Sequence, residues 1–505
     1  MFCKLNSYTL NGVDALPINI EVDIQDGLPG FDIVGLPDSS VKEAKERVKS
    51  AIKNSDFIFP ISHITINLSP ADIRKEGSLY DLPIALGILA CSGYIDKDLL
   101  KDKIFIGELA LDGSLRGIRG LLPILCANRN TSTEVIISID NSEEASLINT
   151  SNIKTADNIN DIVMYLNGMK ALNECNSYVN LTKNCSSVLD FRDVKGQKLA
   201  KRGLLIAAAG FHNAILIGPP GSGKTMLASR LPSIMPPMSE DECIEVTKIY
   251  SVADRLPDYH IIKDRPFRAP HHSISIHGLA GGCSHPRPGE ISLSHHGVLF
   301  LDELLEFKKD SLEILRQPLE SHKITISRAQ ASVTYPANFL FLSATNPCPC
   351  GYYGSAKNKC NCSQDSIRKY RSKLSGPLVD RIDLHLEAHV PDIREIMSSS
   401  NNYSSDDMRK LVIKAHSKQQ ERFKDYNLQY NSQIPSSLID KLCPITDEAR
   451  EQLYSWFDRV GASVRVYEKI IRIARTICDI DDIDIIGIDQ VSEAINFRIL
   501  DRHLD

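Results

Sequence analysis

Residues 218 to 225 read Gly-Pro-Pro-Gly-Ser-Gly-Lys-Thr, a run holding the residue types that a chain of phosphates requires. Gly218, Pro219, Pro220, Gly221, Ser222 and Gly223 form a loop whose backbone can curl until successive N–H groups face one anion. Lys224 adds a charge for the β and γ phosphates of ATP, and Thr225 a hydroxyl for Mg2+. Apolar Ala214 to Ile217 reads as a strand before the loop, and Met226 to Ala228 as a helix start after it. Downstream, Val298 to Leu301 reads as a buried strand that ends in Asp302 and Glu303. A carboxylate at such a strand end can complete the Mg2+ shell, and Glu303 can polarise an attacking water. A third apolar run, Phe339 to Ser343, leads to Asn346, whose amide suits orienting that water. A turn Asn bonded to backbone is the alternative.

Two clusters offer other chemistry. Cys348-x-Cys350 and Cys360-x-Cys362 place four thiols in the loop 348–362, a candidate tetrahedral Zn2+ site. The C-x-C pairs are tighter than the usual C-x2-C knuckle, and a reduced, partly buried cluster is the alternative. His271, His272, His277, His285, His295 and His296 crowd one segment. No carboxylate or cysteine pattern closes a metal site with them, which favours structural or loop roles.

The elements that must hold these residues follow from periodicity. From 190 to 397, strand and helix signals alternate and the strands are apolar, implying a parallel sheet buried on both faces. Residues 1–167 read as a separate α/β domain. Ile18, Ile20, Val22 and Ile24 alternate as a half-buried strand, and Val41, Ala44, Val48, Ala51 and Ile52 line one helix face capped by Asp38 or Ser39. Runs from Ile104 to Leu109 and Ser114 to Ile118 predict a hairpin turning at Asp112-Gly113. Polar stretches 168–189 and 398–407 read as linkers, and 408–505 as a helical lid, notably Val464 to Ile477.

The 505 residues, 42% apolar and 24% charged, suit about three domains and exclude fibrous, disordered and disulfide-stapled classes. No run of about 18 uncharged apolar residues exists, and the N-terminus lacks a signal-peptide core, so the expectation is a cytoplasmic protein with no membrane partner. Net charge is −6, carried by the last residues, 479 to 505, with eight acids against two arginines. Residues 357 to 381 instead hold seven bases against two acids, with Tyr370 among them to stack on a base. That stretch is a candidate DNA contact, the alternative being a solvated face.

The segments VKGQ (194–197), GPPGSGKT, PFRAPHHS (266–273), HPRPGEISLSHHGVLFLDE (285–303), QPLE (317–320), ITISRA (324–329), ATNPCPCGYYG (344–354) and GPLVDRIDLH (376–385) closely resemble the magnesium-chelatase-like AAA+ ATPases of the ComM/YifB type. GLPGFDIVGLPDSSVKEAKERV and NLSPADIRKEGSLYDLPIALGIL resemble the family's first domain, similar to the ribosomal S5/Lon-protease fold, and SVRVYEKIIRIARTICD its helical lid. The resemblance implies an S5/Lon-like α/β domain, a P-loop AAA+ core and an α-helical lid, assembled as a homo-hexameric ring. Val194 and Gly196 would then line the adenine pocket, Arg381 would be an arginine finger given to a neighbouring subunit, and Arg465 a second sensor. Structural ion pairs remain the alternative for both arginines.

The ComM branch implies helicase or branch-migration activity on DNA. A chelatase-like ATPase remodelling a protein partner is the alternative. A transcription activator fits less well, because GLAGG (278–282) stands where its GAFTGA loop would be. The segment Ile274 to Gly282 and a hairpin of Ile324 to Ser327 with Ser332 to Tyr335, Arg328 near its tip, are candidates for gripping substrate. Where Lon proteases carry a Ser-Lys dyad, this chain has Leu79 and Leu122, which can neither attack a carbonyl nor accept a proton.

Overall fold

In the computed structural model the described residues are 1–129, 131–148, 152–175, 189–256, 261–282, 287–328, 331–354, 358–390 and 403–503. Residues 176–188 of the first expected linker, 398–402 of the second, His285, Lys357, Asp505 and the hairpin tip at 329–330 lie outside them. The chain forms two compact units, one of residues 1–184 with 243–262, the other of 185–242 with 263–505. Residues 243–262, read from sequence as part of the core, thus cluster with the N-terminal unit, and the lid clusters with the core.

The first unit is built on an eight-stranded mixed sheet. Its long hairpin, Phe2–Asn11 with Asp14–Gln25, buries Ile18, Ile20 and Val22 on one face. The helix Ser39–Asn54 starts where the Asp38 carboxylate accepts the Val41 N–H at 2.8 Å, and it buries the five apolar residues that its periodicity singles out. The predicted run from Ile104 to Leu109 breaks in two. Lys103–Phe105 stays in the sheet, while Glu108–Leu109 pairs with Leu115–Arg116. The break occurs because Gly107 turns away to bond Leu79 and Leu82 through both of its backbone groups.

Leu79 and Leu122 are both buried in this unit's core, and Ser78 donates its hydroxyl to Glu108. No peptidase dyad stands there. The buried Glu144 carboxylate accepts from Leu122 N at 3.1 Å and from the Ser251 hydroxyl, which tethers the 243–262 segment within this unit.

The second unit carries a five-stranded, fully parallel sheet in the order Phe267–Arg268, Val298–Leu301, Leu340–Thr345, Ala214–Ile217, Leu384–Glu387. The inner strands Val298–Leu301 and Leu340–Thr345 are buried along their whole length, as in a parallel sheet covered on both faces. The helix Val464–Asp481 packs on this core, and Gln419, from the helix Ser405–Arg422, reaches Ala209 O at 2.9 Å. Among the described residues no helix is long and apolar enough to cross a membrane.

The acidic C-terminal stretch is not a bare negative surface. Asp479 is fully buried between Arg422 and Arg475, Asp481 and Glu493 hold Arg202, Asp482 holds Lys414 and Lys418, and Asp501 holds Arg498.

Candidate functional site

Register brings the chemistry together. Ile217 lies beside Thr345 and Leu301 beside Ser343, so Gly218, Asp302 and Asn346 all leave the sheet at the carboxyl ends of neighbouring strands. In an open parallel sheet that edge is where ligands bind. The phosphate-loop residues, Asp302 and Asn346 therefore meet although up to 128 residues of sequence separate them.

Thr225 Oγ1 donates to Asp302 Oδ2 at 2.6 Å, and the second oxygen of Asp302 accepts the Glu303 N–H at 2.9 Å. Lys224 Nζ donates to Gly218 O at 2.7 Å, to Pro219 O at 3.0 Å and to Asn346 Oδ1 at 3.3 Å. Burial pulls the Lys224 ammonium down from its ordinary value, against the opposing pull of Asp302 and Glu303. Glu303 itself has φ of +52°, a conformation costly for a residue with a Cβ, and its carboxylate lies 3.4 Å from His272 Nδ1.

The loop fits a magnesium nucleotide. A Cβ on Gly218 would sit 2.0 Å from the backbone oxygen of Ala388, so only glycine lets the loop pass so close to that strand end. Gly221 and Gly223 have φ of +76° and +82°, and nothing lies within 4 Å of where their side chains would project. The buried Ser222 hydroxyl has no hydrogen-bond partner. One ammonium, a curl of N–H groups, a hydroxyl and a carboxylate form the donor set for triphosphate and Mg2+.

Val194 is buried and Gly196 is left-handed at φ +64°, the pair expected beside adenine. Lys201 Nζ holds the Val194 carbonyl at 2.6 Å, and burial lowers that ammonium to about 8. Gln197, also left-handed at φ +58°, donates to Ser222 O at 2.9 Å and to His389 O, tying the segment to the phosphate loop. Sequence reasoning quoted Gln197 within VKGQ without giving it a role, and it missed the His272 to Glu303 contact. Both involve partners far along the chain, and the only local signal was the position of each within a recognised motif.

Arg381 and Arg465 stand apart from this cluster. Arg381 pairs with Glu320 and donates to Pro377 O at 2.5 Å, and Arg465 is exposed, 4.0 Å from Asp380. No hydrogen bond or ion pair joins either arginine to Lys224, Thr225, Asp302 or Glu303 among the described residues. The segments that carry them are linked two residues from Arg381. Asp383 Oδ1 lies 3.1 Å from Lys469 on the lid helix, and its other oxygen accepts Asn213 N–H at 3.2 Å.

The four cysteines meet as expected from their spacing, with no disulfide among them. Backbone N–H groups of Tyr352 and Asn361 lower the Cys350 thiol to about 6. Of the basic stretch, Arg371 is spent on Pro347 O and the Tyr353 ring, Lys373 on Leu305 O, and Arg381 on Glu320. Lys359, Arg368 and Lys369 are exposed. Tyr370 is half-buried and hydrogen-bonded to Thr345, with Lys373 over its ring, an arrangement that argues against base stacking. His295 and His296 are buried; His295 Nδ1 accepts Asn338 N–H at 3.0 Å and the His296 carbonyl accepts from Arg265 at 2.6 Å.

The chain matches the magnesium chelatase subunit ChlI family over residues 190–396, a further ChlI family of Mg-chelatase over 20–141, and the ChlI C-terminal family over 402–498. Competence protein ComM of Haemophilus influenzae is 42% identical over 98% of this chain and 96% of its own length. The uncharacterised YifB proteins of Salmonella typhimurium and Escherichia coli are each 42% identical with the same coverage.

Proposed function

The chain belongs to the magnesium-chelatase-like ComM/YifB family of AAA+ ATPases, and from that premise we propose that it hydrolyses ATP to drive movement on DNA as a homo-hexameric ring in the cytoplasm. The observation that carries the hydrolytic part is the convergence of Lys224, Thr225, Asp302, Glu303 and Asn346 at one sheet edge.

ATP with Mg2+ supplies the energy-yielding phosphoryl bond and the positive charge that offsets its oxygens. The chain's residues do the rest. The N–H groups of the Gly221–Gly223 turn and Lys224 hold the phosphates, and Thr225 and Asp302 hold the metal. Val194 and Gly196 flank the base. Glu303 polarises the water and Asn346 orients it, each from a fixed backbone position. The left-handed backbone of Glu303 aims a carboxylate that an extended strand would direct elsewhere, and His272 steadies it.

Ring assembly is supported by Arg381. It bonds no residue of its own chain's hydrolytic cluster, as suits a cation offered to a neighbour, where such a finger is worth several kcal/mol. Arg465 lies beside the same segment, so the two would move together. DNA as substrate is supported by the exposed Lys359, Arg368 and Lys369, and by the competence role named for a 42% identical relative. Positive potential is needed only where a strand passes, and a ring repeats each base in every subunit.

The test is ATPase rate and junction movement with no DNA, with linear duplex and with a four-way junction. A DNA-stimulated rate and strand exchange that both fall with rising salt support the reading. A rate indifferent to every DNA, with no junction movement, overturns it in favour of a motor that remodels a protein partner.

A further inference from the structure

Directly after Asn346 the chain enters the cysteine loop. Cys348 Sγ lies 3.4 Å from Cys350 Sγ and 3.7 Å from Cys360 Sγ, and Cys350 lies 3.6 Å from Cys360. Cys362 completes a set whose sulfurs all fall within 4.8 Å of one another. A disulfide would need about 2.05 Å. Four thiolates each about 2.3 Å from one tetrahedral zinc are separated by about 3.8 Å, the tetrahedron's edge. The observed contacts sit close to that edge. An iron–sulfur cluster spreads its thiolates around a core of several atoms and needs them farther apart.

Backbone N–H groups surround these sulfurs. Tyr353 N donates to Cys348 at 3.3 Å, Tyr352 and Asn361 to Cys350, Cys362 to Cys360, and Cys350 to Cys362. These bonds fix the directions of the sulfurs as an outer shell does for a metal centre. Four sulfurs converging on one point are a ready ligand set for a soft cation, which they would bind as thiolates. The first C-x-C pair lies in a tight turn over residues 348–351, closed where Gly351 N–H donates to Cys348 O at 2.9 Å, with Gly351 at φ +84°.

The same glycine meets the phosphate loop. A Cβ on Gly351 would lie 2.5 Å from Pro220 Cδ, so the knuckle's turn rests on the loop that curls around phosphate. On the other side Arg371 clamps the loop, with Nε 3.3 Å from Pro347 O and its guanidinium over Tyr353.

We propose that Cys348, Cys350, Cys360 and Cys362 bind one structural Zn2+ per chain, and that this knuckle braces the phosphate loop through Gly351 and Pro220. Zinc binding displaces the thiol protons to solvent and involves no redox step. The bracing half rests on the phosphate-site reading, whereas the metal half stands without it.

The experiment uses full-length protein purified from zinc-supplemented culture with reductant throughout. Elemental analysis is expected to find one zinc per chain, and an organomercurial with a zinc-sensitive dye should release it as the four thiols react. Cys360→Ser should fall below about 0.1 zinc per chain, while Cys362→His, which restores a competent nitrogen ligand, should keep its zinc. Zinc below about 0.1 per wild-type chain, or iron in its place, overturns the metal assignment. For the brace, a fluorescent ATP analogue should bind Cys360→Ser about tenfold more weakly than wild type or Cys362→His, about 1.4 kcal/mol. Equal affinities with zinc lost would remove the brace and leave the metal site standing.

Discussion

Replacing Asp383 by Asn tests how the lid and the Arg381 segment are held together. The Asp383 carboxylate sits 3.1 Å from Lys469 Nζ and 3.5 Å from His212 Nδ1, and the two partners of the pair are 14% and 11% exposed. Removing one partner of a buried pair costs about 3–5 kcal/mol, and this residual exposure places the loss near the lower end. In a unit of about 300 residues roughly 2 °C is lost per kcal/mol, so Tm should fall by about 6 °C. Burial pushes the Asp383 carboxyl up, but the charges of Lys469 and His212 outweigh it and hold the group well below its ordinary 3.8. A depressed carboxyl stabilises above its unfolded pKa and loses that contribution as pH falls through the folded one. The gap between wild type and Asp383→Asn should therefore be equal at pH 7 and pH 5, and narrow below pH ~4. Thermal melts followed by fluorescence measure it. Asp383→Asn with Lys469→Met should recover much of the loss, since no charge is then left unpaired. A single variant within about 1 °C of wild type, or a double variant no better than the single, would refute the buried-anchor argument.

Gly218→Ala should weaken binding of an ATP analogue at least about tenfold, because the Ala388 carbonyl 2.0 Å from the new methyl cannot yield as a side-chain tip would; unchanged affinity in a titration would count against the close-approach reading. Arg381→Ala and Lys224→Ala should each be inactive alone, yet regain activity when their chains are mixed, since mixed assemblies place an intact phosphate site against an intact Arg381. Mixed assemblies verified by size but still inactive would contradict donation between subunits.

The residues of the candidate hydrolytic site were legible in the sequence because they are carried by local patterns. A strand, a glycine-rich turn and a helix start are contiguous at 214–228, and Asp302 and Glu303 follow their strand directly. Neighbouring strands then need only parallel register to bring the pieces together. Less legible were features made by long-range pairing. The acids after residue 478 look like a negative surface, but most are matched by bases such as Arg202 and Arg422, which lie far away in sequence. The clustering of 243–262 with the N-terminal unit leaves no compositional mark, since Ser251 and Glu144 look like ordinary polar residues until one buries against the other. Nor does the run from Ile104 to Leu109 announce its break, because the apolar pattern continues through the point where Gly107 leaves the sheet. Tyr370, attractive among bases as a stacking platform, is committed to Thr345.

The assignment of the cluster at the sheet edge is decided by Glu303→Gln, measured for nucleotide affinity and single-turnover hydrolysis side by side. Gln keeps the size and the left-handed backbone of Glu303 but cannot polarise water as a carboxylate does. Binding should remain within a factor of about two of wild type, and hydrolysis should fall about 10²- to 10⁴-fold, the range for loss of a general base. Hydrolysis at the wild-type rate would show that Glu303 is not the water-activating group and that the site works in another way.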